Sequence, residues 1–111
     1  MNARAAEFSA FLELQRSEFR QAAPQRVAAL RSLWEQALQP SAFPEALREL
    51  ERKTHSLAGS FGTFGLNEPG QLAFRLESLL RPLLEQPATM DTAAADIAAT
   101  LDELGRSVAA H

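Results

Sequence analysis

The chain has two histidines, no cysteine and no tyrosine, so few of its side chains can act as nucleophiles or proton carriers near neutral pH. His111 is terminal and is given no role, which leaves His55 as the internal imidazole. A neutral imidazole nitrogen can serve as nucleophile, general base or metal ligand. The metal option has little behind it, because no second His, no Cys and no Asp follows His55 by three or four residues, and Glu51 four residues before it is one partner, too few for zinc. A catalytic triad has no support either, since no acid or further nucleophile is placed by spacing alone. The absence of cysteine also removes disulfides, thiolate nucleophiles and thiolate metal sites, and fits a reducing compartment.

The surroundings of His55 distinguish it from an ordinary solvated side chain. Leu50, Leu57 and Phe61 recur with helical period, and Thr54 fills the gap between them. At 100° per residue, His55 falls about 130° from the middle of that stripe and faces outward. On the same outward strip lie Arg48, Glu51 and Arg52 before it, and Gly59 and Gly62 one and two turns after it. Glycine inside a helix costs about 1 kcal/mol relative to alanine, so two on one face need a reason. Close packing would require them on the core face. Open access fits better: a residue without Cβ at i+4 leaves room for a bulky anion on the imidazole and for the backbone of another protein.

The elements that must hold this residue are helices. The 111 residues include 21 Ala and 17 Leu against 2 Val and 1 Ile, so strand formers are nearly missing. Such a length suits one domain, 1–111. Pro24, Pro40-Ser41, the Gly65–Pro69 stretch and Gln86-Pro87 divide the chain into helical segments. The first, about 3–22, carries Phe8, Phe11, Leu12 and Phe19; the second, about 25–39, carries Val27, Leu30, Trp34, Ala37 and Leu38. One helix through both would extend about 50 Å, long for a small domain, so a bend is expected at Pro24. Ser41 is the expected cap of the third segment, with Pro44 and Glu45 in its first turn. The fourth, about 68–85, carries Leu72, Leu76, Leu79, Leu80, Leu83 and Leu84, and the fifth follows a capping Asp91 with Ile97, Leu101, Leu104 and Val108. Short connections make neighbours antiparallel, giving an all-α, up-and-down bundle.

Several function classes fall away on composition. A formal net charge of −3 supplies no basic stripe for a nucleic-acid backbone. The start, Met1-Asn2-Ala3-Arg4-Ala5-Ala6-Glu7, lacks the apolar run of a signal peptide, and no stretch approaches the roughly 18 apolar residues of a bilayer span. The expectation is a soluble, cytoplasmic protein with no membrane contact.

The run Thr54–Gly65, THSLAGSFGTFG, resembles the signature of the histidine-containing phosphotransfer (HPt) domain: His, Leu two on, Gly four on and Gly ten on. Leu72, Ala73, Leu76 and Glu77 are similar to the family's next helix, and the Phe/Leu-rich opening up to Trp34 is similar to its beginning. The resemblance implies an antiparallel four-helix bundle with an additional N-terminal helix, and a monomer. It implies that His55 accepts a phosphoryl group from a receiver-domain aspartate and passes it to another receiver. No ATP site or cofactor is implied for this chain, Mg²⁺ being supplied by the receiver. In that role Gly59 and Gly62 keep the imidazole accessible, and Leu57 and Phe61 anchor the helix.

One position departs from the family pattern. Many members carry Lys three residues after the His, where this chain has Ala58. Arg52 on the His55 strip is the first candidate to replace that charge, with Lys53, Arg75 and Arg81 behind it; each is otherwise a solvated surface charge. Ser56, Ala58 and Phe74 are the candidate docking residues, Phe74 because it lies about 160° from Leu76 and off the main stripe. A core position for Phe74 under the N-terminal helix remains open on the sequence. The rival functions are a module of the same fold that binds receivers without transfer, and a structural bundle that associates with itself through Phe74.

Overall fold

The computed structural model describes residues 2–110, so His111 lies outside the described residues. It contains four α-helices, α1 (Ala3–Ala37), α2 (Phe43–Thr63), α3 (Asn67–Glu85) and α4 (Met90–Ala110), with a short 3-10 turn, Pro87–Thr89, before α4. Each helix packs against the next in sequence and α4 closes back on α1, the arrangement of an up-and-down bundle. No strand occurs among the described residues. The helices share one core: Phe19, Val27, Leu30 and Trp34 from α1, Leu47, Leu50, Leu57 and Phe61 from α2, Leu76, Leu80 and Leu83 from α3, and Ile97, Leu101 and Leu104 from α4.

The expected bend at Pro24 does not occur, and the first two segments form one 35-residue helix. Proline deletes one ladder hydrogen bond, the one that would run to the Arg20 carbonyl. Arg20 and Pro24 both lie on the exposed face, so water can satisfy that carbonyl, while Ala23 and Val27 stay in register in the core. The additional N-terminal helix is thus the first half of α1. The molecule accommodates its length by being elongated, 58 × 23 × 19 Å. The expected inward stripe Phe8, Phe11, Leu12, Phe19 is correspondingly buried only at Phe19; the other three, with Leu14, are exposed beyond the bundle. Leu38 and Leu84 are also exposed, each at a helix end where the core has run out.

Two caps differ from expectation. The N-cap of α2 is Ala42 and makes no side-chain bond, so Ser41 is not the cap, although Pro44 and Glu45 do occupy the first turn. Asp91 lies inside the first turn of α4, because the 3-10 turn leads directly into Met90. There its negative charge complements the positive N-terminal end of the helix dipole.

The α2–α3 connection sets up the site. Gly65 has φ 73°, the left-handed conformation that glycine adopts without Cβ strain. Leu66 N–H donates to the Phe61 carbonyl at 2.9 Å and Gly65 N–H to the Gly62 carbonyl at 3.3 Å, the paired bonds of a Schellman motif. Buried Leu66 then turns the chain back at once, so that α3 lies antiparallel along α2. At Gly70 the two helices come so close that a Cβ would stand 3.3 Å from Phe61 Cβ.

Candidate functional site

Burial of Leu50, Thr54, Leu57 and Phe61 on one side of α2 rotates His55 to the other, where its side chain is 66% exposed. Facing it on α3 is Glu77, which stands in the core row between Ala73 and Leu80 and is only 7% exposed at its side chain. The Glu77 carboxylate bonds to His55 Nδ1. A carboxylate can only accept, so this contact favours, in the neutral ring, the tautomer with its proton on Nδ1 and its lone pair on Nε2. An acid this deep needs a compensating charge. Arg81, one turn along α3, supplies it: Nη2 donates to the same Glu77 oxygen at 3.2 Å, and Nε donates to Glu51 Oε1 at 3.4 Å. Glu51 lies one turn before His55 on α2, so His55, Glu77, Arg81 and Glu51 form a chain of contacts that crosses between the two helices twice.

Beside the imidazole an open groove of about 580 Å³ runs between α2 and α3. His55, Ala58, Gly59 and Gly62 form its α2 wall, and Gly70, Phe74 and Glu77 form much of its α3 wall. A Cβ on Gly59 or Gly62 would meet nothing within 4 Å, so these glycines leave surface bare rather than admit a neighbouring helix. Phe74 is 65% exposed, and its position in the groove wall resolves the alternative of a core residue. The hydroxyls of Ser60 and Thr63 donate back to the carbonyls of Ser56 and Gly59.

The remaining candidates are distributed differently. Arg52 is paired with Glu49 on its own helix, and its side chain is 74% exposed. Ser56 points to a smaller groove of about 240 Å³ between α1 and α2, beside Arg26 and Lys53. Arg81 is drawn to the His55 site, but through Glu77. Sequence reasoning missed the roles of Glu77 and Gly70. A signal for Glu77 existed, an acid four residues after Ala73 and three before Leu80 in an apolar row. Gly70 carries no such signal, because what it meets lies on another helix.

Among the described residues no group of three or more His, Cys, Asp or Glu is arranged to hold a metal ion, and no helix is long and apolar enough to cross a membrane. Compared with known proteins, the model of the Hpt domain family matches residues 16–108. No curated protein and no solved structure gives a significant match.

Proposed function

The chain belongs to the Hpt domain family, whose members take part in phosphorelay histidine phosphotransfer, and on that premise we propose that His55 is its transient phosphoryl site. The observation that carries this reading is the imidazole itself: exposed, bonded at Nδ1 by Glu77, and therefore presenting Nε2 as the nucleophile. In the transfer, the Nε2 lone pair attacks the phosphorus of an aspartyl phosphate on a receiver domain. An N–P bond forms as the acyl P–O bond breaks, and the receiver carboxylate leaves with the bonding electron pair. The ring becomes positively charged while Nδ1 keeps its proton, and the Glu77 carboxylate stabilises that charge. The reverse attack, by the aspartate of a second receiver, returns the ring to neutrality.

The receiver brings Mg²⁺, which balances the phosphoryl charge, and the carrier needs to contribute only geometry and access. Gly59 and Gly62 provide the access, while Phe74 and Ala58 offer apolar contact to a receiver helix across the groove. The setting is a cytoplasmic phosphorelay with receiver domains as the partners. A second reading, receiver binding without transfer, draws on the uncharged Ala58, where many family members carry Lys, and on the engagement of Arg52 with Glu49.

The deciding experiment incubates the protein with a phosphorylated receiver and follows acid-labile, base-stable label. Wild type takes up label, and His55→Gln takes up none while still binding the receiver. Equal labelling of the two overturns the assignment of His55; binding with no labelling of wild type by any receiver of its organism favours the second reading.

A further inference from the structure

Resting on that reading of His55, we infer that Arg81 is a positioning residue, which acts on the imidazole through Glu77 and is itself held in place by Glu51. Its two contacts point in different directions: Nη2 to Glu77 at 3.2 Å on its own helix, and Nε to Glu51 at 3.4 Å on the neighbouring one. An exposed Arg–Glu pair within one helix restrains a long side chain only weakly. The partners here are unusual for a surface pair, since Glu77 is 7% and Glu51 20% exposed at the side chain. The Arg81 side chain, 62% exposed overall, is therefore held at two points beside the Glu77 carboxylate, behind the imidazole. A planar fork can meet two carboxylates in this way, and an ammonium cannot reproduce both contacts.

Two consequences follow for the chemistry. The carboxylate that selects the His55 tautomer has a fixed direction, because the Glu77 oxygen that meets Nδ1 is the one held by Arg81. The negative charge of Glu77, which would repel an incoming phosphoryl anion, is balanced beside it. The cation that supports the reaction is thus placed behind the imidazole, on the Nδ1 side, and Ala58 leaves the α2 side of the groove uncharged.

The test compares Arg81→Met, Arg81→Lys and Glu51→Gln with wild type in the intact protein. Imidazole ¹⁵N–¹H correlation spectra, recorded at about pH 8 where histidine is largely neutral, report the share of His55 protonated at Nδ1. Label uptake from phosphoramidate, a small donor that needs no receiver docking, reports nucleophilicity. Wild type shows the Nδ1–H form predominating. Arg81→Met shifts the ring toward Nε2–H and slows uptake about tenfold or more, the scale of effect expected from lost orientation. Arg81→Lys recovers part of both, and Glu51→Gln falls between wild type and Arg81→Met. An unchanged tautomer ratio and rate in Arg81→Met would overturn the inference, as would slowed uptake with an unchanged tautomer, which would place Arg81 directly on the phosphoryl group. If wild type takes up no phosphate from this donor or from receivers, the phosphocarrier reading fails, and the spectra still decide the role of Arg81.

Discussion

Gly59 shows how one side chain can oppose stability to activity. It follows His55 by one turn, and a Cβ there would meet open space, so its helix-weakening effect is not offset by any packing against it. Gly59→Gln is expected to raise the unfolding free energy by up to about 1 kcal/mol, measured by urea titration, while slowing phosphotransfer from a receiver. Equal transfer rates would remove access as the reason for this glycine. The outward position of His55 and the bare strip above it were legible from the period of Leu50, Leu57 and Phe61. The pairing of His55 with Glu77 was not, because the two lie 22 residues apart in the chain, and only the antiparallel return of α3 makes them neighbours. Arg52 is the opposite case: spacing put it on the His55 strip, but its partner Glu49, three residues before it on the same helix, engages its charge.

For the helices, the instructive case is α1. Pro24 remains inside a continuous helix because the hydrogen bond it removes is on the wet side, and the flanking core residues hold both halves in line. Pro24→Ala restores the missing donor and removes the ring's clash with the preceding turn. It is expected to stabilise the protein by about 1–3 kcal/mol, read as a higher midpoint of thermal or urea unfolding; a lower midpoint would mean that proline is favoured at this point in α1. The helical periods of α2, α3 and α4 were plain in the sequence, since each alternates core and solvent faces throughout. The break expected at Pro24 rested on compactness, a property the chain does not obey. The Gly65 turn was legible as punctuation, but its Schellman bonds, which set α3 opposite α2 and so bring Glu77 to His55, depend on the fold.

The molecule as a whole is a bundle with α1 running past one end of it. Phe8, Phe11, Leu12 and Leu14 are exposed there, while the family match begins only at residue 16. Removal of residues 1–14 should therefore leave the unfolding midpoint nearly unchanged, within about 0.5 kcal/mol as for exposed positions generally; a large loss would show that these side chains contribute to the core. Apolar periodicity could not distinguish this projecting segment from the buried continuation of the same helix, because the two share one face and differ only in what lies opposite. Trp34 has a separate experimental use. It is the sole tryptophan of a chain without tyrosine, it is 5% exposed near the α1–α2 turn, and it does not line the groove at His55. Its fluorescence is thus an internal gauge of core integrity that is optically separate from the reacting imidazole, so every variant above can be checked for folding in the same cuvette in which its chemistry is followed.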